Sequence, residues 1–349
     1  EGVKEMKRMK TTEAVGQVLC HDITQIIPGV TKDAVFRKGH IIREEDIPVL
    51  LSVGKDSVYI WENDETMMHE NDAAEVLYRM TANEHMHPSD VKEGKIEAIA
   101  DTEGLLKVDR EKLKKVNAFG EMMIATRHGN TVVKKGDKLA GTRIIPLVIK
   151  KDKMQEAEKI CDGTPILKIL PFTVKKAAII TTGNEVYHGR IKDAFTPVIE
   201  QKIAEFGAEM MFHEIFDDND RKITDGCLRA IEAGADIVFC TGGMSVDPDD
   251  KTPLAIKNTG AEMISYGSPV LPGAMFLLSY YRKGDKVIPI CGLPGCAMYN
   301  RRTIFDLVLP RLMAADPVTA DELASLGEGG LCLNCKVCTF PNCGFGKGW

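Results

Sequence analysis

Asp236–Asp250 reads DIVFCTGGMSVDPDD. Ile237 to Cys240 is a continuous apolar run, the pattern of a parallel strand buried on both faces. It ends at Gly242-Gly243, and Ser245, Asp247, Asp249 and Asp250 follow at once. Glycines let backbone N–H groups approach an anion closely. A carboxylate cluster directly behind such a loop is therefore a conflict of charge that needs a physical account.

Two further apolar runs end in the same way, IITTGNE (Ile179–Glu185) and PICGLPG (Pro289–Gly295). Helical patterns lie between them. TPVIEQKIAEFG (Thr196–Gly207) has a capping threonine, a proline in the first turn and a terminal glycine. DRKITDGCLRAIEAG (Asp220–Gly234) repeats the scheme, with Asp220 as the candidate cap, and DKTPLAIKNTG (Asp250–Gly260) does so again. AEMMFHEIF (Ala208–Phe216) supplies another strand. Strand–helix alternation predicts an α/β domain, a three-layer structure around a mainly parallel sheet.

In such sheets ligands bind beyond the carboxyl ends of the strands. Three glycine loops converging there, with the hydroxyls of Thr182, Thr241 and Ser245, predict a pocket for a phosphate-like group. The carboxylates then find a role if a divalent cation accompanies the phosphate, because Mg²⁺ takes one or two carboxylates plus substrate oxygens. The acidic set is Glu185, Asp247, Asp249 and Asp250, with Asp217, Asp218 and Asp220 after the Phe216 strand. The simpler alternative is helix capping by Asp249 or Asp250, and by Asp218 or Asp220. His188 and His213 read as surface or packing residues, and TRHGN around His128 as a hairpin turn. No Gly-rich Lys-Ser/Thr loop and no G-x-G-x-x-G fingerprint follows a strand.

The rest of the chain is organised differently. REEDIPVLLSVG (Arg43–Gly54) predicts a helix ended by Gly54, and DSVYIWE (Asp56–Glu62) a strand. Residues 71–82 and 109–117 read as helices, KKDKMQEAEKI as a charged connecting helix, and 93–150 as short strands between glycine turns. The expected division is 1–91 mixed α/β, 92–164 a β-rich subdomain, 165–315 the α/β domain and 316–349 a cysteine-rich tail.

With 349 residues, 44% hydrophobic and 28% charged, the chain has the composition of a globular protein. Its net charge of −6 argues against general nucleic-acid binding. No apolar run approaches a membrane span, and the mixed-charge N-terminal decapeptide does not read as a secretory leader. Six scattered cysteines predict a reduced, cytoplasmic setting. The other four, Cys332, Cys335, Cys338 and Cys343, have the spacing C-x2-C-x2-C-x4-C. That run predicts either a soft-metal centre, iron–sulfur or zinc, or a reactive unstructured tail.

Residues 174–315 resemble the molybdenum-cofactor biosynthesis domain shared by molybdopterin adenylyltransferases, molybdopterin molybdotransferases and competence-damage-inducible proteins. The matching pieces are ITTGNEV, the Asp217-Asp218 pair, ADIVFCTGGMSVDPDDKTP, GSPVLPGAMF and GLPGCAMY. Residues 14–62 resemble, more faintly, a terminal piece of the molybdotransferases.

The resemblance implies molybdopterin or its adenylylated form as ligand, with its phosphate end on Gly242, Gly243 and Ser245. The implied binding set is Thr182, Gly183, Asn184, Glu185, Asp218, Thr241, Gly242, Gly243, Met244, Ser245, Thr252, Pro272, Gly273, Gly292, Leu293, Pro294 and Gly295. Asp250, Asp249 and Glu185 are the implied catalytic carboxylates, handling Mg²⁺ and molybdate. A homo-oligomer, dimer or trimer, and contact with pathway proteins are implied as well. Two positions depart from the molybdotransferase pattern: Asn184 stands where an aspartate is usual, and Cys296-Ala297 where Asn-Pro is usual. The open readings are a molybdotransferase-like enzyme, a non-catalytic molybdopterin carrier or sensor, and a nucleotide pyrophosphatase.

Overall fold

A computed structural model describes residues 7–27, 31–60, 66–245, 247 and 250–348. The chain divides into two compact units: Glu1–Ile99, Asp109–Arg127 and Lys138–Leu167 form the first, and Ala100–Val108, His128–Asp137 and Lys168–Trp349 the second. These units cross the boundaries drawn at 91/92 and 315/316. Residues 104–108 and 131–133 fold with the α/β domain, and so does the tail.

The first unit holds a four-stranded sheet, ordered Met86–Pro88, Lys95–Ala100, Lys138–Ile144, Met122–Thr126, in which Lys138–Ile144 runs antiparallel to both neighbours. The expected helices are present as Asp46–Ser52, Glu70–Thr81, Arg110–Ala118 and Lys151–Cys161. Leu50 of the first packs with Leu19, Ile23, Ile42 and Val58 in a small core. Its N-terminus is tied by Asp46, whose carboxylate accepts from Arg43 N–H at 2.9 Å and pairs with His40 at 2.6 Å. The strand expected through Glu62 is described only as Ser57–Tyr59, and Trp61 and Glu62 lie outside the described residues. Residues 127–130 are not a hairpin turn, because the strands on either side, Met122–Thr126 and Thr131–Val133, belong to different sheets.

His69 caps Glu70–Thr81 in an unusual way. It is buried, its Nε2–H donates to the Cys20 carbonyl at 2.7 Å, and its Nδ1 accepts the Asn71 N–H at 3.2 Å. Burial lowers its pKa below the ordinary 6.5, against the opposing pull of the Cys20 carbonyl. The folded imidazole is therefore neutral where the unfolded one takes up a proton. The resulting stability is fully present above about pH 6.5 and is lost as pH falls below it, by at most about 1.4 kcal/mol per pH unit. Thermal unfolding between about pH 7.5 and 5.0 checks this, because it brackets the unfolded imidazole's titration. His69→Gln should flatten the slope, and a variant with the wild-type slope would contradict the assignment.

In the second unit the main sheet is built from β1 (Lys176–Thr182), β2 (Glu209–Phe216), β3 (Ile237–Thr241), β4 (Glu262–Tyr266), β5 (Leu277–Lys283) and β6 (Lys286–Leu293). The order is β2-β1-β3-β6-β5-β4. Pairings β1–β2, β1–β3 and β3–β6 are parallel, whereas β5–β6 and β4–β5 are antiparallel. The helices are α1 (Asn184–Tyr187), α2 (Phe195–Ala204), α3 (Asp220–Glu232), α4 (Thr252–Asn258), α5 (Ile304–Met313) and α6 (Ala320–Ser325).

Strand alternation sends side chains to the two faces in turn, and both faces are covered. Ile179, Phe239 and Leu293 pack with Ile199 and Ile203 of α2 and Phe305 and Val308 of α5. Ile180, Val238 and Ile290 pack with Ile223 and Ile231 of α3 and Ile256 of α4. The domain is thus a three-layer, mainly parallel α/β structure, as the sequence predicts. A separate three-stranded sheet of Gly104–Val108, Thr131–Val133 and Leu167–Leu170 completes the unit.

The tail is structured. Val318, Leu323 and Phe345 enter the α2/α5 core, and Cys332 and Cys343 pack against it. Leu271 N–H donates to Gly330 O at 2.9 Å and Cys332 N–H to Leu271 O at 2.8 Å, which ties the tail to the segment before Pro272.

Candidate functional site

The three glycine loops leave β1, β3 and β6, which lie side by side and parallel in the sheet, so they emerge together at its carboxyl edge. The Gly242-Gly243 loop is the central one. Gly242 has φ +82°, and a Cβ there would fall on the Thr182 carbonyl oxygen. Only glycine lets the chain pass so close to β1. Thr182 Oγ1 donates to Thr241 O at 3.1 Å and lies 3.0 Å from Thr252 Oγ1, which in turn donates to Gly242 O at 2.8 Å. Thr182 and Thr252 are both buried. Two threonine hydroxyls, one from β1 and one from the start of α4, thus fix the loop carbonyls.

The acidic half of the loop is tied back on itself. Asp250 Oδ2 accepts the Ser245 N–H at 2.7 Å, and Asp250 N–H donates to Asp247 O at 3.0 Å. Asp250 therefore does not cap α4, whose N-cap Lys251 makes no side-chain capping bond. Its carboxylate braces the glycine loop. Asp247 is exposed, and Asp249 lies outside the described residues. Met244 is buried, with its carbonyl accepting from Tyr266 OH at 3.0 Å. Burial and the neighbouring Asp250 charge push the Tyr266 hydroxyl pKa up, so it stays a donor.

The first loop begins at Gly183, which is buried; Asn184 and Glu185 are exposed on α1. Asn184 N–H donates to Asp218 Oδ2 at 3.2 Å, so the segment after β2 meets the first loop through Asp218. The neighbouring Asp217 binds Lys222 Nζ at 2.8 Å. The cap of α3 is Asn219, which accepts from Arg221 and Lys222 N–H, and not Asp218 or Asp220. At the third loop Gly292, Leu293 and Pro294 are buried and Gly295 is exposed. Met244 closes over Gly292, where a Cβ would come within 2.5 Å of its sulfur. Pro272 O accepts the Ile304 N–H at 3.1 Å, and Gly273 is buried against Ile304.

One polar group carries no strong signal in the sequence. Asp193 accepts the Phe195 and Thr196 N–H groups at 2.9 and 3.1 Å, and the hydroxyls of Thr196 and Thr181 at 2.5 and 3.0 Å. His213 Nε2 lies 3.1 Å from the Thr181 hydroxyl and 3.2 Å from that of Thr196. Burial opposes the charged form of Asp193, but the hydrogen bonds led by Thr196 outweigh it and hold the carboxyl below its usual range. Asp193, not Thr196, thus supplies the capping oxygens of α2, and His213 packs into that network. The one hint available in the sequence is Asp193 three residues ahead of Thr196-Pro197.

The tail cysteines are not brought together as ligands. Cys335 and Cys338 are exposed, and Cys332 and Cys343 are half-buried. Among the described residues no group of three or more His, Cys, Asp or Glu side chains is placed to hold a metal ion. The expected tail metal centre is therefore not assembled: Cys332 and Cys343 pack against the core with Phe340, and Cys335 and Cys338 stay exposed. No helix of the described residues is long and apolar enough to cross a membrane.

Residues 178–314 match the family described as "Probable molybdopterin binding domain", and residues 8–62 match a "Domain of unknown function (DUF8806)". A competence-damage inducible protein of Bacillus cereus strain B4264 is 30% identical over 129 residues, which is 37% of this chain and 30% of that protein. Its counterpart in Bacillus subtilis strain 168 is 32% identical over 85 residues, 24% of this chain and 20% of that protein. The chain thus spans about 30% or less of the length of these relatives. Among solved structures, the tungsten cofactor synthesizing protein MoaB of Pyrococcus furiosus is 20% identical with a TM-score of 0.32, covering 40% of this chain and 89% of that one. A molybdenum cofactor biosynthesis protein from the same organism is 12% identical with a TM-score of 0.25, covering 89% of this chain and 64% of that one. Residues 178–314 belong to the molybdopterin-binding domain family of molybdenum-cofactor biosynthesis.

Proposed function

We propose that the chain binds molybdopterin or its adenylylated form at the carboxyl edge of the sheet and acts as a molybdotransferase-like enzyme, inserting molybdate. The observation that supports this most is the braced Gly242-Gly243 loop, held by Thr182 and Thr252 on one side and by Asp250 on the other, inside the matched family segment. In this reading the phosphate end lies on Gly242, Gly243 and Ser245, with Thr182, Gly183, Thr241, Met244 and Thr252 around it. Asn184, Glu185 and Asp218 form the first-loop side, and Pro272, Gly273 and Gly292 to Gly295 the pterin side.

Mg²⁺ fits the donor set. It needs one or two carboxylates and completes its shell with water and substrate oxygens. Asp250 and Asp247, joined through the Asp250 N–H, offer them without a cage of protein ligands. The ion would neutralise charge on the phosphate beside the loop. Asp250, Asp249 and Glu185 are the proposed catalytic carboxylates. A cytoplasmic homo-oligomer working with other proteins of the pathway completes the proposal.

A carrier or sensor role is the second reading, favoured by Asn184 and by Cys296-Ala297, where acid chemistry would otherwise sit. A third reading, hydrolysis of a nucleotide pyrophosphate, is the one that the resemblance to competence-damage-inducible proteins implies. Complementation of a molybdotransferase-deficient bacterial strain separates them. Restored molybdoenzyme activity is the expected result. Failure with retained molybdopterin binding would leave the carrier, and hydrolysis of an ADP-ribose-like substrate would favour the third.

A further inference from the structure

Four buried side-chain polar atoms among the described residues have no hydrogen-bond partner, and two of them, Thr241 Oγ1 and Asp217 Oδ1, lie at the carboxyl edge of the sheet. Thr241 is the sharper case, because the whole residue is 0% exposed. Buried hydroxyls are almost always paired, and an unpaired one costs about 1–3 kcal/mol. The usual candidates are committed elsewhere. Thr181, opposite Thr241 in the register, donates its hydroxyl proton to Asp193 and stands 3.1 Å from His213 Nε2, and the other neighbour is Leu293, which has no polar side chain.

The face on which this hydroxyl stands is informative. Thr241 follows Ile237 and Phe239 in strand alternation, so it points to the layer of α2 and α5. On the opposite face the loop is closed. Thr182 and Thr252, 3.0 Å apart, each donate to a loop carbonyl, and Met244 fills the space over Gly292 within the α3/α4 core. One side of the glycine loop is therefore saturated, and the other carries an unused hydroxyl one residue from half-buried Gly242.

We infer that the bound phosphate monoester reaches the Gly242-Gly243 loop from the α2 side of the sheet and that Thr241 Oγ1–H donates to one of its oxygens. This rests on the proposed phosphate site and adds its direction of approach and the atom through which Thr241 meets the ligand. A structural hydroxyl and a reserved one make opposite predictions for Thr241→Val. Valine keeps the shape and suits a strand, so removal of an unpaired hydroxyl leaves the ligand-free protein as stable as wild type or more so.

The experiment titrates molybdopterin, released anaerobically from a molybdoenzyme, into wild type, Thr241→Val and Thr241→Ser, with inorganic phosphate as competitor and with ligand-free thermal unfolding in parallel. The expected result is a roughly 10-fold loss of affinity in Thr241→Val, near wild-type affinity in Thr241→Ser, competition by phosphate that is weaker in Thr241→Val, and no fall in its unfolding midpoint. Equal affinity in all three proteins, no competition by phosphate, or a marked fall in the Thr241→Val midpoint would overturn the inference. Of these, equal affinity would assign the hydroxyl to an internal water and leave the phosphate-site reading standing. Absence of molybdopterin binding by wild type would remove that reading and this inference together.

Discussion

Gly242→Ala is expected to destabilise the α/β domain by roughly 3 kcal/mol or more and to abolish ligand binding. Two effects add. Alanine at φ +82° is strained, and its Cβ would fall on the Thr182 carbonyl oxygen, which belongs to β1 and cannot move without disturbing the β1–β3 pairing. Gly260 provides the control, because it has the same φ of +82° with nothing within 4 Å of a built Cβ. Gly260→Ala should therefore show the strain alone, about 1–2 kcal/mol. Urea unfolding of both variants checks the difference. Equal losses would mean that the close approach to Thr182 contributes nothing.

Asp250→Ala is expected to lower transferase turnover at least ~100-fold, while the domain stays folded. The carboxylate braces the Ser245 N–H, and the proposed function gives it a second, separable task, offering a charge to a cation. Asp250→Asn separates them. Its amide oxygen still accepts the Ser245 N–H, so molybdopterin affinity should stay within a few-fold of wild type, yet dependence of turnover on Mg²⁺ should vanish. If Asp250→Asn turns over like wild type, Asp250 has only the bracing role. If both variants lose affinity equally, its charge acts in binding and not in turnover.

The α/β domain is legible in the sequence where periodicity and turn chemistry agree. The strand at Ile237–Thr241 is apolar from Ile237 to Cys240 because both its faces are buried, and the helix starting at Thr252-Pro253 is announced by proline and closed by Gly260. The two antiparallel strands Glu262–Tyr266 and Leu277–Lys283 do not stand out in the same way. The first is short and mostly exposed, with no clean alternation. The second joins Lys286 through the Gly284-Asp285 turn, a hairpin signal hidden beside the stronger PICGLPG run.

The sequence points to the wrong neighbour for two caps, Thr196 for Asp193 and Asp220 for Asn219. Adjacent polar residues compete, and only the backbone path decides which oxygen faces the free N–H groups. The central glycine loop is legible because it needs a residue without a Cβ. The Asp193–Thr181–His213 network is not, since its members come from three separate segments. The tail shows the opposite failure. Spacing suggests a ligand cluster, but spacing says nothing of Phe345 and Leu323, whose burial in the α2/α5 core sets where that chain runs.

The central claim is that the carboxyl edge of this sheet holds molybdopterin. Anaerobic titration of the purified chain with molybdopterin, followed by oxidation and pterin fluorescence of the retained fraction, tests it most directly. Saturable binding at one molecule per chain, lost in Gly242→Ala and kept in Gly260→Ala, is the predicted result. No saturable binding, or binding that Gly242→Ala retains, would contradict it.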